Sequence, residues 1–186
     1  MSSVKAVEHK KYIQNKEHIM QYTSKYNSKL GEILLASDGK KLTGLWFVGQ
    51  KYFADNLERE NIEQDLPVFN QTKKWLDIYF SGEKPLFTPL LSLEGISSFR
   101  KRVWEIMLEI PFGKTSTYGA IAQQIECETG KRVSAQAVGG AVGHNSISII
   151  IPCHRVIGTN AGLIGYAGGL DRKAELLKLE AINVSN

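Results

Sequence analysis

Three stretches near the start of the chain alternate apolar and polar residues with a period of two, the signature of half-buried strands. They are Met20–Tyr26, Lys29–Ala36 and Leu42–Val48. Asn27-Ser28 and Asp38-Gly39-Lys40 separate them, and both carry turn chemistry. The pattern predicts a small antiparallel meander. Residues 55–64 are charged and read as a helix or a loop. From Phe69 the period lengthens: Phe69, Leu76, Tyr79 and Phe80, with Trp75 nearby, mark a helix ending at Phe80. Ser81-Gly82 stops it, and Pro85 prevents its resumption. Residues 85–95, with Pro85, Pro89 and Gly95, read as a linker.

Beyond Gly95 the pattern is helical. Ser97 or Ser98 caps a predicted helix to about Leu108, with Phe99, Val103, Trp104, Ile106 and Met107 on its apolar face. Pro111-Phe112-Gly113 interrupts the chain. Two short helices are predicted next, Thr117–Ile125 and Ser134–Val142. Ser116 or Thr117 would cap the first and Ser134 the second. Joined through Gly130, they suit a helix-turn-helix. Ile147–Ile151 is an apolar run able to form a buried strand or a buried turn. Gly158, Gly162, Gly165, Gly168 and Gly169 make the next segment too glycine-rich for a helix, so it reads as a wing or loop. Asp171 would cap a last helix, Arg172–Ala181, partly burying Leu176, Leu177 and Leu179.

A chain of 186 residues has room for one large domain or two small ones. The pattern divides it into a polar, lysine-rich extension (1–18, mobile or weakly helical), an α/β domain (19–90) and a mainly helical domain (91–186). Hydrophobic residues make up 42%, enough for a packed core, which excludes a disordered chain. The net charge of +4 is spread evenly: residues 1–91 hold 13 Lys/Arg and 11 Asp/Glu, residues 92–186 hold 10 and 8. A polyanionic partner is compatible with that charge but not demanded by it. No apolar stretch approaches the roughly 20 residues that span a bilayer, and the N-terminus lacks the apolar core of a signal peptide. The expectation is a cytoplasmic protein in a reducing compartment. Two cysteines, Cys127 and Cys153, do not form a disulfide-rich pattern, and the four histidines have no metal-ligand spacing with them.

The candidate chemistry sits in Pro152-Cys153-His154-Arg155-Val156. A bare Cys-His pair more often marks a buried thiol beside a satisfied imidazole. Here an apolar run leads into the thiol, Pro152 restrains the backbone, and His154 and Arg155 follow directly. Those neighbours predict a thiolate, the nucleophilic form of cysteine. Cys127, flanked by Glu126 and Glu128, reads as a structural thiol.

Ordered blocks extend this motif. They are Pro111-Phe112-Gly113-Lys114-Thr115-Ser116-Thr117-Tyr118, Ala137-Val138-Gly139-Gly140-Ala141, Asn145, Gly165-Tyr166-Ala167-Gly168-Gly169, and Leu176-Leu177 with Leu179-Glu180. Together they resemble the O6-alkylguanine-DNA alkyltransferases, over roughly residues 96–182. The resemblance implies a ribonuclease-H-like N-terminal α/β domain with a short antiparallel sheet, then a mainly α domain with a winged helix-turn-helix. It implies one irreversible transfer of a small alkyl group from O6 of guanine, and O4 of thymine, to Cys153, without a cofactor or metal. By the same resemblance, His154 takes the thiol proton through a water, Glu180 holds His154, and Asn145 braces the turn. Tyr118, Tyr166, Ala167, Lys173 and the carbonyls of Cys153 and Val156 would face the flipped base. The helix carrying Ser134, Ala135, Gln136, Ala137 and Gly139 would enter the minor groove of double-stranded DNA, with Arg155 also counted as a DNA contact and the protein acting as a monomer. One departure stands out: Gln136 occupies the place of the family's arginine finger, which implies weaker or more salt-tolerant DNA binding. No cysteine precedes Cys127, so the zinc site of some relatives is not expected. The alternatives are a damage sensor without transfer, a Cys-His thiol hydrolase, and a transcription regulator. The sensors lack the acceptor cysteine, and the regulators carry an extra cysteine-rich domain that does not fit this length.

Overall fold

The structure, a computed structural model, describes residues 20–159 and 162–181. The expected extension 1–18 lies outside the described residues. The three alternating stretches form strands β1 (Gln21–Ser28), β2 (Gly31–Ser37) and β3 (Leu42–Phe47). They pair antiparallel, with Tyr26 opposite Ile33 and Leu35 opposite Leu45. The alternation places Ile33, Leu35, Leu45 and Phe47 in the core, all fully buried. Residues 55–64, expected as helix or loop, instead include strand β4 (Asn61–Glu63), parallel to β1, and the sheet order is β3-β2-β1-β4. All three β4 residues are exposed, so the strand has no alternation to read; the open edge of β1 supplies its pairing.

Helix α1 (Pro67–Phe80) covers the sheet with Val68, Phe69, Trp75, Leu76, Tyr79 and Phe80. Pro67 opens it, where a missing N–H costs nothing. Residues 85–95 are more than a linker. Leu42 N–H donates to Leu90 O at 2.7 Å, and Ser92 N–H donates to Leu42 O at 2.8 Å. The segment is therefore a strap along β3, held by Leu91 and Leu93 against the core.

Three caps in the second half match their chemistry. Ser97, Thr117 and Ser134 each accept a backbone N–H at the start of α2 (Ser98–Glu109), α3 (Tyr118–Thr129) and α4 (Ala135–Gly143). Helix α3 runs past the predicted Ile125 and stops at Gly130, whose φ of 67° makes a left-handed cap. The last helix, α5 (Leu170–Leu179), starts one position before Asp171. Its N-cap is Gly169, and Asp171 lies inside the first turn and caps nothing. There its carboxylate faces the positive end of the helix dipole. Short strands β5 (Ser116–Thr117) and β6 (Val156–Ile157) pair in parallel and draw the start of α3 beside the chain that follows Cys153.

A single core joins both halves. The Ile147–Ile151 run takes the turn rather than the strand. Leu45 N–H donates to Ser146 O (2.8 Å) and Ser148 N–H to Leu45 O (2.9 Å), which pins the run to β3. Ile149 has φ 68°, and Ile150 N–H closes on Ser148 O at 2.8 Å. That is a γ-turn of the rare, strained sense, at a β-branched residue that tolerates it poorly. A second tight turn follows around Pro152, with Cys153 N–H donating to Ile151 O at 2.8 Å. No helix of the described residues is long and apolar enough to cross a membrane.

Candidate active site

These consecutive turns deliver Cys153 to the start of a 3-10 turn, Cys153–Arg155, where the thiol is 3% exposed. Asn145 spans the site. Its amide donates to Cys153 Sγ at 3.0 Å and to Ile151 O at 2.8 Å, while its Oδ1 accepts from Ile147 N–H at 3.0 Å. One side chain thus fixes both the turn and the sulfur it presents.

His154 is fully buried beside the thiol. Its Nε2 lies 2.8 Å from Glu180 Oε1 and 3.2 Å from the Tyr79 hydroxyl. Its Nδ1 is buried with no partner in the protein. Glu180 is a hub. Its Oε1 faces His154 and accepts from the Tyr79 hydroxyl (2.8 Å) and Arg155 Nη2 (3.0 Å). Its Oε2 accepts from Gly113 N–H (3.0 Å) and Arg155 Nε (2.9 Å). Burial alone would push this carboxyl up, but the His154 hydrogen bond and charge, then those of Arg155, outweigh it and hold the group at about 2. With Glu180 ionised and facing Nε2, the neutral imidazole carries its proton on Nε2, leaving the Nδ1 lone pair free to accept.

A second wall of the site comes from the glycine-rich loop, α3 and α5. Tyr118 donates to the carbonyls of Ile164 (3.0 Å) and Gly165 (3.1 Å). Lys173 is fully buried and donates to Val156 O (2.6 Å) and Ile164 O (2.8 Å). Burial lowers its ammonium to about 8, against the opposing pull of Cys153. The Tyr166 hydroxyl is buried without a partner, and burial followed by the Cys153 charge pushes it well above its usual range. The Tyr166 ring lies over Gly168, where any Cβ would sit 2.5 Å from it, so that loop position requires glycine. A cavity of about 700 Å³ opens between Tyr118, Gln136, Gly139, Tyr166, Ala167 and Tyr52. Ser134, Ala135, Gln136 and Ala137 are exposed along α4.

Sequence comparison decides the family. The profile described as 6-O-methylguanine DNA methyltransferase, ribonuclease-like domain, matches residues 21–93, and the corresponding DNA-binding-domain profile matches residues 98–182. The chain belongs to the O6-methylguanine-DNA methyltransferase family. A methylated-DNA–protein-cysteine methyltransferase of Mycobacterium tuberculosis is 44% identical over 154 residues, covering 83% of this chain and 88% of the relative. Its counterpart in Haemophilus influenzae is 41% identical over 162 residues, 87% of each. The crystal structure of Mycobacterium tuberculosis OGT in complex with DNA superposes with a TM-score of 0.73 at 41% identity, over 87% of this chain and 92% of that one.

Within this methyltransferase-family site, three expectations change. Arg155 is not a free DNA contact: it is 8% exposed, paired with Glu180, and donates to Ile110 O at 2.7 Å. Its charge is spent on Glu180, which the sequence separates from it by 25 positions. Cys153 is not a resting thiolate. Burial pushes the thiol up, and the Asn145 hydrogen bond and the Lys173 charge only partly offset this. A methyltransferase built this way keeps its sulfur protonated until a base removes the proton. Cys127 is exposed rather than buried as a structural thiol, because it lies on the outer face of α3. The motif reading also missed Tyr79, the Gly113 amide, and a wall from the sheet domain. In that wall Lys51 N–H donates to Ala167 O (2.9 Å), and Tyr52 stacks on His144 with centroids 4.1 Å apart.

The Glu180 hub has a measurable acid signature. A carboxyl held at about 2 in the fold and at 4.5 when free contributes stability that is complete above 4.5 and lost as pH falls toward 2. Denaturant unfolding at successive pH values will show wild type losing more stability across that window than Glu180→Gln. Equal losses would mean that Glu180 is not the carboxyl held down.

Proposed function

We propose that this chain repairs alkylated double-stranded DNA directly, moving a methyl or other small alkyl group from O6 of guanine, or O4 of thymine, onto Cys153. The unpartnered Nδ1 of His154, beside a buried protonated thiol, carries this reading. A buried polar nitrogen without a partner is costly unless a water or a reacting proton fills the place. His154 Nδ1 takes the Cys153 proton through a bridging water, and Glu180 stabilises the resulting imidazolium. The sulfur attacks the alkyl carbon, the carbon–oxygen bond breaks, and its electron pair leaves with guanine. The Tyr118 hydroxyl gives its proton to the departing base and is reprotonated, through water, by the proton that His154 took from the thiol, so atoms and charge balance. The product thioether has no easy leaving group, so each molecule reacts once and without a cofactor.

The base is unreachable within the stack and must be flipped out. Tyr118, Tyr166, the Ala167 amide and the second lone pair of Val156 O, whose first is held by Lys173, receive it. Helix α4 of the winged helix-turn-helix enters the minor groove through Ser134, Ala135, Gln136, Ala137 and Gly139. Gln136 fills the place the base left. The protein acts as a cytoplasmic monomer, with residues 19–90 supporting and 91–186 accepting the alkyl group.

Intact and peptide mass spectrometry after mixing with an equal amount of duplex carrying one O6-methylguanine tests this. One methylene gained on the Cys153 peptide, never more than once per molecule, is expected; tight binding without a gain would sink it. Gln136→Arg will tighten duplex binding and steepen the logarithmic salt dependence by about one unit, the counterion release of one positive charge added against the duplex. An unchanged slope in a binding titration would remove Gln136 from the DNA face.

A further inference from the structure

We infer that Tyr79, contributed by the sheet domain, is a positioning residue of the proton relay: its hydroxyl is a second acceptor that joins Glu180 in holding the proton of His154 on Nε2. This rests on the relay proposed above. Tyr79 is fully buried in α1, and its ring stacks on Trp75 at 5.3 Å and meets Phe112 and Phe80 edge-on. Packing alone would be served by phenylalanine. The hydroxyl instead reaches across to two members of the relay, 2.8 Å from Glu180 Oε1 and 3.2 Å from His154 Nε2.

The roles of these atoms follow from counting protons. Glu180 is an acceptor only, so the single Tyr79 proton points at it. The lone pairs of the phenol oxygen then face His154 Nε2. Two acceptors, Glu180 Oε1 and Tyr79 Oη, therefore converge on one nitrogen, and both are satisfied only when Nε2 bears hydrogen. Nδ1 is left bare. Burial and the Glu180 charge push the phenol well above its usual range, so it stays a hydroxyl throughout. The groups acting on His154 are Lys173 from α5, Glu180 at the C-cap of that helix, Arg155 from its own turn, and Tyr79 from α1. Among the described residues, Tyr79 is the one polar partner of His154 that the sheet domain supplies.

Tyr79→Phe keeps the ring and deletes the contact. Glu180 retains its other donors, so its pull on the imidazole changes little, while the imidazolium N–H loses one of two acceptors. The expected result in single-turnover transfer is a saturating rate about tenfold lower, a fraction of the ~10²–10⁴ that a positioned base supplies. The half-saturating concentration should stay within about twofold, an order-of-magnitude expectation for an undisturbed DNA face. Nitrogen-15 resonances of His154 should titrate at lower pH than in wild type. Unchanged rate and titration would overturn the proposal. In wild type itself the same spectra must show hydrogen on Nε2; hydrogen on Nδ1 would overturn it whether or not the variant folds. These spectra need no DNA, so a wild type that fails to transfer methyl would defeat the repair reading and leave this test standing.

Discussion

Cys153→Ser will bring methyl transfer to roughly a thousandth of the wild-type rate or below, because only a thiolate among these groups is both soft and accessible to a weak base. Serine keeps the size of the side chain and can accept the Asn145 hydrogen bond that now ends on sulfur. The fold and the proposed DNA-contacting helix α4 are untouched, so duplex affinity should stay near wild type. What changes is the proton. Burial already pushes the thiol up, and burial also lowers the basicity of His154. A relay balanced that finely cannot ionise a hydroxyl. Rapid-quench transfer beside fluorescence anisotropy of the same duplex separates the two outcomes. Transfer within tenfold of wild type would show that another group accepts the alkyl carbon.

Glu180→Ala should destabilise the protein by about 3–5 kcal/mol, the cost of breaking a buried ion pair from one side. The alanine would strand the Arg155 guanidinium, the Gly113 N–H and the Tyr79 hydroxyl together in a buried site. For a chain of this size the melting temperature would fall by roughly 10 °C. Glu180→Gln keeps an acceptor for two of those donors and should lose less. Differential scanning calorimetry of both variants decides the matter, and an alanine variant melting within a degree or two of wild type would show that the hub carries no structural weight. Activity of the alanine variant must be compared below its own transition, since a loss from unfolding looks the same as a loss of catalysis.

The parts of this fold legible in sequence are those whose cause is local. Alternation in Lys29–Ala36 and Leu42–Val48 marks strands because one face of a sheet is buried. Ser97, Thr117 and Ser134 mark helix starts because a cap satisfies backbone N–H groups only a few residues away. Strand β4, the strap beside β3 and the true start of α5 depend on partners elsewhere in the chain, so nothing in their own residues declares them. The site divides the same way. The blocks around Cys153, Asn145 and Glu180 were readable as a resemblance, and the structure brings those residues together. Arg155 was misread because its charge was visible while its partner, 25 positions on, was not. The thiol was misread for the converse reason: its charged neighbours in sequence were visible and its burial was not. Tyr79 fits an apolar helix pattern because its ring is buried; the pattern is silent on where the hydroxyl ends.

The hydrogen bond from Tyr79 to Glu180 closes a span of 101 residues. Contacts that distant form late, since the entropy of the intervening loop is lost before they can repay it. Synthesis runs from the N-terminus, so Tyr79 and then Cys153 leave the ribosome well before Glu180. Until α5 docks, Arg155 lacks its carboxylate and His154 its orienting acid. The order of events during folding therefore assembles the Glu180 hub in one step: the last helix to arrive supplies the carboxylate that Tyr79, His154 and Arg155 all await.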